Sequence, residues 1–152
     1  MKIFLVQHAD AVPKEADAER PLSEKGAAQA KRAADFLKKI PFYPDIILHS
    51  DKKRSIETAE VICFALGGVR MELRERMGPN DDIAAMLSEI TTSKKSIMVV
   101  GHQPFLGKLA SALLGAGDAR QVVDIANASP LILARAGDLF VVDTYFKNEY
   151  MK

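Results

Sequence analysis

The stretch Lys2-Ile-Phe-Leu-Val-Gln-His-Ala-Asp10 decides the fold, because a short apolar run gives way there to a polar loop. The run is too short for a helix and is typical of a buried strand. Two similar apolar runs, at 45–49 and 96–100, follow later, and helical segments separate the three runs. This alternation predicts an α/β fold with a mostly parallel sheet and helices on both faces.

The full set of predicted elements gives a three-layer α/β/α arrangement with an antiparallel hairpin at one edge of the sheet. We predict a single domain over residues 1–152, because no repeat or Pro/Gly/Ser-rich linker divides the chain. Ser23 is the predicted N-cap of the first long helix, and Ser50 or Asp51 that of the second. The predicted strands cover 2–7, 45–49, 69–73, 97–100, 128–134 and 139–145, and the predicted helices cover 24–39, a segment ending near 66, 83–90 and 104–114.

The composition is ordinary for a globular protein, with 48% hydrophobic and 27% charged residues. A net charge of +1 gives no reason to expect binding to nucleic acid or to an anionic membrane. The single cysteine, Cys63, cannot form an internal disulfide, so no oxidising compartment is required. The first apolar run, about five residues long, is too short for a signal-peptide core or a membrane span. We therefore expect a cytoplasmic protein.

Three strand ends carry residues suited to phosphate chemistry. His8 follows the first predicted strand, His102 follows Gly101 at the end of another, and Arg54 lies in the helix after the strand at 45–49. Parallel strands direct their carboxyl ends to one edge of a sheet, where open α/β folds bind ligands. We therefore expect two imidazoles and a guanidinium to converge at that edge.

His8 is the candidate nucleophile. A neutral imidazole has a lone pair available near pH 7, since its reference pKa is about 6.5. One ring nitrogen could be held by a backbone carbonyl while the other attacks phosphorus. Taken alone, His8 could equally be a hydrogen-bonded structural histidine, and it is the neighbouring candidates that favour catalysis.

Arg54 and His102 are the candidate phosphate ligands. The guanidinium of Arg54 can hold two phosphate oxygens near the positive end of a helix, although an exposed, ion-paired arginine is the alternative. His102 would donate a hydrogen bond as a cation, and a structural histidine is its alternative. Arg20 could reach the same site from a loop, or could pair with Asp17 or Glu19.

Metal binding is disfavoured by the spacing of the histidines. His8, His49 and His102 form no His-x-His or His-x-x-x-His pair, and there is no cysteine cluster. His49 is expected to face inward from its strand. The glycines form no phosphate-binding Gly-x-x-x-x-Gly-Lys loop.

Four segments together resemble the histidine phosphatase (phosphoglycerate-mutase-like) superfamily, most closely its small SixA-type phosphohistidine phosphatases. They are Phe-Leu-Val-Gln-His-Ala-Asp at 4–10, Arg-Pro-Leu-Ser-Glu-Lys-Gly at 20–26, Ser-Asp-Lys-Lys-Arg-Ser-Ile-Glu-Thr-Ala at 50–59 and Val-Val-Gly-His-Gln-Pro at 99–104. The resemblance implies a phosphoglycerate-mutase-like three-layer sheet and no cofactor. It also implies that His8 is transiently phosphorylated while Arg54 and His102 hold the phosphate.

The sequence departs from the family motif beside the nucleophile. The motif begins Arg-His-Gly, whereas this chain has Gln7-His8-Ala9. An arginine supplies a full positive charge, and charge-assisted hydrogen bonds are roughly twice as strong as neutral ones. Losing one such donor is expected to cost about 2–4 kcal/mol of transition-state stabilisation. Ala9 in place of glycine matters only if the backbone there needs a positive φ.

A second departure concerns the proton donor, which is a carboxylic acid in larger members of the superfamily. The candidates here are Glu75, Asp81 and Asp82. Glu75 could instead pair with Arg74 or Arg76, and Asp81 could instead cap the helix that follows. A strong acid is less necessary when the leaving group is itself an imidazole.

The main hypothesis from the sequence is a phosphatase that acts through phospho-His8 on phosphohistidine in a protein, or on a small phosphomonoester. Gln7 and Arg20 would help to bind the phosphoryl group. Partners are then phosphorylated proteins or small molecules, with no nucleic acid and no membrane. The alternative is a non-catalytic phosphate- or phosphoprotein-binding relative weakened by Gln7. A sugar-phosphate mutase is a third hypothesis, but the chain lacks obvious insertions to enclose an intermediate.

Overall fold

A computed structural model describes residues 1–118 and 120–151, in which strands and helices alternate as predicted. The strands are β1 (Lys2–Gln7), β2 (Ile46–His49), β3 (Met71–Leu73), β4 (Ile97–Gly101), β5 (Leu131–Ala136) and β6 (Leu139–Tyr145), and the α-helices are α1 (Glu24–Leu37), α2 (Lys53–Ala65), α3 (Ala84–Thr92) and α4 (Phe105–Leu113). A short 3-10 helix, Asn148–Tyr150, follows β6. Within the described residues, none of the helices has the length and hydropathy that a membrane crossing needs.

The strands form a sheet in the order β3-β2-β4-β1-β5-β6. The first four strands of this order run parallel to one another. β5 runs antiparallel to both β1 and β6, which makes the hairpin at the edge. The predicted fold class is confirmed, and the carboxyl ends of the four parallel strands share one edge.

Side-chain alternation along the strands divides the helices between the two faces. Ile3 and Leu5 of β1 belong to a buried cluster that includes apolar residues of α3 and α4. Phe4 and Val6, one position on in each case, belong to a second cluster with residues of α1 and α2. Because successive strand residues point to opposite faces, one short strand contributes to both cores. Each such fully buried side chain contributes about 1.5–3 kcal/mol of burial free energy.

The start of α1 is packed directly against the loop that follows β1. Ser23 is the N-cap as predicted, and its Oγ accepts a hydrogen bond from the Gly26 amide at 3.0 Å. A Cβ at Gly26 would lie 1.9 Å from the carbonyl oxygen of Asp10. Only glycine therefore allows the helix to approach the backbone two residues beyond His8.

The predicted capping of α2 by Ser50 or Asp51 is wrong. The helix begins at Lys53, its N-cap is Lys52, and the Lys52 side chain makes no capping hydrogen bond. The hydroxyl of Ser50 is instead hydrogen-bonded to the side chain of His102.

The hairpin also begins later and turns more tightly than predicted. β5 starts at Leu131 rather than 128, because Ala128 has a φ of 47°, a left-handed conformation that cannot continue a strand. Strand pairing extends to Ala136 and Leu139, so the turn consists of two residues. Gly137, with a φ of 64°, supplies the positive φ that such a turn requires.

Candidate active site

His8 and His102 lie side by side at the carboxyl edge of the sheet. Gln7 of β1 and Gly101 of β4 are register partners. The residues that follow them, His8 and His102, therefore leave the sheet side by side. The His8 amide donates a hydrogen bond to the carbonyl of Gly101 at 2.9 Å. The two imidazole centroids are 5.0 Å apart, and the rings are inclined at 58°. The structure thus brings the two predicted site histidines together.

Arg54 joins them from the first turn of α2. Its Nε donates a hydrogen bond to Nε2 of His8 over 3.1 Å. On the other side of the imidazole ring, Nδ1 lies 2.7 Å from the carbonyl oxygen of Ala9. A carbonyl only accepts, so Nδ1 carries the proton and Nε2 keeps its lone pair. This is the tautomer that a nucleophilic Nε2 requires.

Both histidines are neutral near neutral pH. Burial lowers the pKa of His8 to about 4, and the charges of Arg54 and Arg20 act in the same direction. Burial likewise lowers the pKa of His102 to about 3, with further repulsion from His8 and Arg54. The sequence suggested a cationic His102, whereas its surroundings favour a neutral imidazole whose N–H is the donor.

The two ring nitrogens of His102 have different environments. Nε2 lies 2.7 Å from Oγ of Ser50, and both residues are buried. Nδ1 is also buried, yet it has no hydrogen-bond partner within the described residues. Buried polar groups are nearly always paired, so an unpaired one at a site of this kind points to a role with a ligand.

Two polar side chains that the sequence interpretation missed hold the loop around His8. Thr58 Oγ1 accepts a hydrogen bond from the Ala9 amide at 3.0 Å and donates to the carbonyl of Arg54 at 2.7 Å. Asn127 Nδ2 donates to the carbonyl of His8 at 2.7 Å. Thr58 lies four residues after Arg54, on the same helix face, and this spacing was a usable signal. Asn127 is 119 positions from His8 and offers no such signal.

Arg20 lies near enough to His8 for its charge to lower the pKa of the imidazole. Its Nε donates to the carbonyl of Val12 at 3.1 Å, and its φ of 52° is unusual for a residue with a side chain. The alternative of an ion pair with Asp17 or Glu19 is not formed. Asp17 contacts Arg20 through the backbone, where its carbonyl accepts from the Arg20 amide at 3.1 Å.

Gln7 ends β1 with its side chain partly exposed. Its carbonyl accepts a hydrogen bond from the amide of Ala128 at 2.8 Å. The side-chain amide makes no hydrogen bond to any residue in 1–118 or 120–151, so its donors are available to a ligand. Ala9 is fully buried and does not have a positive φ, so its backbone conformation accepts a Cβ.

Asp81 and Asp82, two candidates for the proton donor, bind backbone amides. Asp81 Oδ2 accepts from the amide of Gly78 at 2.6 Å. Asp82 Oδ1 accepts from the amide of Ala84 at 2.7 Å. The carboxylate that binds a backbone amide at the start of α3 therefore belongs to Asp82. The alternative considered from the sequence, in which Asp81 caps this helix, is wrong.

Glu75, the third candidate, is exposed. The predicted alternative of a pair with Arg74 is not formed, because the guanidinium of Arg74 binds Glu72 and Glu89 at 2.7 and 2.8 Å. The contacts of the three carboxylates identify none of them as the proton donor.

A polar cavity of about 290 Å³ opens beside Arg54. Besides Arg54 itself, its charged lining consists of Lys52, Lys53, Glu19 and Asp51.

His49 takes no part in this arrangement. It is buried at the end of β2, as expected, and its Nδ1 lies 3.0 Å from the carbonyl of Ser50. Among the residues that the structure describes, no three His, Cys, Asp or Glu side chains are grouped so as to hold a metal ion.

The chain is similar to known proteins in both sequence and fold. The sequence profile of the histidine phosphatase superfamily (branch 1) matches residues 3–78. The fold is similar to that of the protein histidine phosphatase SixA complexed with tungstate, with a TM-score of 0.87 and 19% identity over 100% of both chains. A protein from Agrobacterium tumefaciens assigned as phosphohistidine phosphatase SixA gives a TM-score of 0.80 and 25% identity, covering 96% of this chain and 97% of that one.

An α-ribazole phosphatase from Shigella flexneri gives a TM-score of 0.78 and 14% identity, with 97% of each chain covered. The two SixA structures and this one share the arrangement of the sheet and helices described above. The family profile spans half of the chain and includes both His8 and Arg54. This chain therefore belongs to the histidine phosphatase superfamily (branch 1).

Proposed function

We propose that this protein is a phosphatase that removes phosphoryl groups from phosphohistidine in proteins, through a covalent phospho-His8 intermediate. Membership in the histidine phosphatase superfamily supports the phosphatase activity. The observation that carries the proposal is the state of His8: a neutral imidazole, held at Nδ1 by Ala9, with the lone pair of Nε2 beside Arg54. An oxyanion is also bound by the SixA protein of the same fold, which is complexed with tungstate.

The reaction has two displacements at phosphorus. In the first, the lone pair of His8 Nε2 bonds to phosphorus while the bond from phosphorus to the substrate nitrogen breaks. The electron pair of that bond stays on the substrate ring, which is protonated at its other nitrogen and so leaves as a neutral imidazole. In the second, the oxygen of a water molecule bonds to phosphorus, the bond from phosphorus to Nε2 breaks, and a water proton leaves. Arg54 and His102 donate to the equatorial oxygens in both steps, and Gln7 and Arg20 add donors at the rim.

A phosphohistidine substrate fits the absence of an identified acid at the site. Transfer between two imidazole nitrogens is close to balanced in energy, so positioning and charge can supply most of the catalysis. An alkoxide leaving group, by contrast, needs a proton at the moment of bond cleavage. Of the three acids considered from the sequence, Asp81 and Asp82 are occupied by backbone amides, and Glu75 is exposed. The cytoplasm remains the proposed location, since the single Cys63 requires no oxidising compartment.

A small phosphomonoester is the alternative substrate class. The α-ribazole phosphatase of similar fold acts on a compound of that kind, and the polar cavity beside Arg54 has room for a small leaving group. A comparison of initial rates on a phosphohistidine-bearing protein and on simple phosphomonoesters separates the two classes.

The intermediate is tested by rapid mixing with a substrate protein carrying labelled phosphohistidine, followed by an alkaline quench and peptide mapping. We expect the label on the peptide that contains His8 and none in a His8→Gln variant that folds normally. Label released to water with no protein-bound phase, or label on another residue, contradicts the proposed mechanism.

A non-catalytic phosphate-binding protein is the second candidate function, and the observation that favours it is Gln7 in place of the family arginine. This candidate predicts that inorganic phosphate binds, that Arg54→Ala abolishes binding, and that no substrate of either class is turned over. Turnover by the native protein excludes it.

A further inference from the structure

Ser50 and His102 form a buried hydrogen bond between the ends of two neighbouring strands. His49 of β2 pairs with Val100 of β4, so Ser50 emerges beside His102. The distance from Ser50 Oγ to His102 Nε2 is 2.7 Å, and the two residues are 0% and 1% exposed. A hydrogen bond between groups this well buried does not exchange readily with water, so its direction matters.

The remaining contacts of Ser50 decide that direction. The amide of Lys52 lies 3.4 Å from Ser50 Oγ and can only donate to it. Among the described residues, Nε2 of His102 is the acceptor within reach of the Ser50 hydroxyl proton. The hydroxyl therefore donates to Nε2, which must then hold its lone pair, and the imidazole proton lies on Nδ1.

The opposite tautomer leaves more groups unpaired. If Nε2 carried the proton and donated to Ser50, the hydroxyl proton would have no acceptor among the described residues, and the lone pair of Nδ1 would be buried without a donor. In the first tautomer a single group, the Nδ1–H of His102, is unpaired. Each buried polar group without a partner destabilises the folded protein, so the count of unpaired groups favours the first tautomer.

We propose that Ser50 is a positioning residue that holds His102 in its Nδ1–H tautomer, so that Nδ1–H is the donor offered to a phosphoryl oxygen. The use of this donor in phosphoryl transfer rests on the proposed function, but the tautomer does not. Ser50 is the first residue of the segment 50–59, and the sequence suggested only a helix-capping role for it. Its role in orienting His102 is therefore additional to what the sequence indicated.

A hydroxyl suits this role because the direction of its hydrogen bond to His102 can reverse. If a bound phosphate dianion raises the pKa of His102 so that Nε2 takes up a proton from water, the Ser50 hydroxyl rotates and accepts from the new Nε2–H, since a serine oxygen both donates and accepts. Nδ1 keeps its proton in both states. A carbonyl in place of Ser50 would accept only, and would draw the proton of a neutral imidazole to Nε2.

The tautomer can be read directly by nitrogen-15 NMR of the uniformly labelled full chain, without substrate. We expect Nδ1 of His102 to be protonated and Nε2 to be the bare, pyridine-like nitrogen. The resonance is assigned by its loss in His102→Gln. In Ser50→Ala we expect a mixture of both tautomers, and in Ser50→Thr, which keeps the hydroxyl, the native pattern.

Ser55 provides a matched control. It is also a fully buried serine, and its Oγ donates to the carbonyl of Val100 at 2.7 Å rather than to a histidine. Ser55→Ala should lower the thermal midpoint as Ser50→Ala does, but should leave the His102 tautomer unchanged. A bare Nδ1 in the native protein overturns the proposal even if Ser50→Ala does not fold, and so does a pure Nδ1–H tautomer in a folded Ser50→Ala variant.

Titration with inorganic phosphate then tests the use of the donor. We expect phosphate to perturb the Nδ1–H resonance of His102 in the native protein, and to bind roughly tenfold or more weakly to Ser50→Ala than to Ser50→Thr. Equal phosphate affinity in the two variants overturns the positioning role. Absence of phosphatase turnover with the native tautomer in place would count against the proposed function alone.

Discussion

Nε of Arg54 donates a hydrogen bond to Nε2 of His8 over 3.1 Å. The acceptor in this bond is the same lone pair that the proposed mechanism directs at phosphorus. A bound phosphoryl group must therefore draw the guanidinium away before His8 can attack. Phosphate oxygens, which carry full negative charge, are stronger acceptors for a guanidinium than a neutral imidazole is. In the proposed mechanism, substrate binding thus frees the lone pair of His8 Nε2 and engages Arg54 in one movement.

Replacement of Arg54 by lysine should lower kcat/KM by roughly 100-fold. A lysine keeps the charge but loses the planar fork, so it cannot hold two phosphate oxygens at once. Initial rates on the phosphohistidine substrate and affinity for inorganic phosphate measure the effect. Lys53→Gln is the control, because Lys53 is the exposed neighbour and pairs with Glu57 instead. Equal losses in the two variants would show that only general positive charge is needed at this end of α2.

Replacement of Gln7 by arginine should raise kcat/KM by roughly 30-fold to 900-fold, the equivalent of about 2–4 kcal/mol. The new side chain restores a charge-assisted donor beside His8, where the native amide makes no hydrogen bond within the described residues. The same change brings a cation near Arg54, so the free energy of unfolding should fall when phosphate is absent.

Gln7→Met is the companion variant, since it keeps the length of the side chain and removes the donors. It should lower kcat/KM relative to the native protein. If neither substitution changes the rate, Gln7 lies outside the reacting assembly and its place in the proposed mechanism is lost.

The pKa values of His8 and His102 predict a specific acid titration. In phosphate-free buffer, NMR should show both imidazoles still neutral at pH 6, with midpoints of about 4 for His8 and about 3 for His102. The unfolded chain titrates near the reference value of about 6.5. Between these limits the unfolded state binds more protons than the folded state, so the free energy of unfolding falls as the pH drops from about 6.5 to about 4 through His8, and on to about 3 through His102.

Addition of inorganic phosphate should move both midpoints upward, because a nearby anion favours the imidazolium form. The same titration in concentrated denaturant gives the reference curve. Midpoints near 6.5 in the folded, phosphate-free protein would show that the two rings are not desolvated as the structure indicates.

Thr58→Val should lower the free energy of unfolding by about 1–3 kcal/mol, because it leaves the buried amide of Ala9 without an acceptor. It should also lower kcat, since Thr58 links the backbone beside His8 to that of Arg54. Urea denaturation and steady-state kinetics measure the two effects. Thr58→Ser keeps the hydroxyl and should recover most of both, and failure of serine to do so would assign the loss to packing of the methyl group.

Gly26→Ala should destabilise the protein, although helix propensity alone favours alanine by up to about 1 kcal/mol. The added Cβ would lie 1.9 Å from the Asp10 carbonyl oxygen, so either α1 or the loop after His8 must move. Ala27→Gly, at an exposed neighbour, should cost about 1 kcal/mol from propensity alone and leave activity intact. A stabilised Gly26→Ala variant would show that this close approach is not required.

The strands and helices were largely predictable because each carries its signal locally. β1 and β4 are short, unbroken apolar runs, and Ser23 caps α1 as the sequence indicated. Errors arose where a distant contact competes with a local preference. Ser50 has the side chain of a helix cap, but its hydroxyl bonds to His102, which is 52 positions away.

The proximity of the three candidate residues was predictable, but their protonation states were not. The sequence alone placed His8, His102 and Arg54 at the carboxyl ends of strands or just beyond them, and parallel strands present those ends at one edge of a sheet. It suggested a cationic His102, whereas the pKa of a buried imidazole depends on how much water and how many cations surround it.

The order of apolar runs, helical segments and polar strand ends determined the α/β architecture, because hydrophobic periodicity and strand direction are properties of the chain itself. It thereby determined the edge of the sheet at which the candidate residues meet. Which nitrogen of each imidazole carries a proton was decided by tertiary contacts: Ala9 beside His8, Ser50 beside His102, and Arg54 next to the lone pair of His8. Hydrogen-bond direction depends on atoms within about 3 Å, and residues far apart in the chain reach that distance only when the sheet has formed.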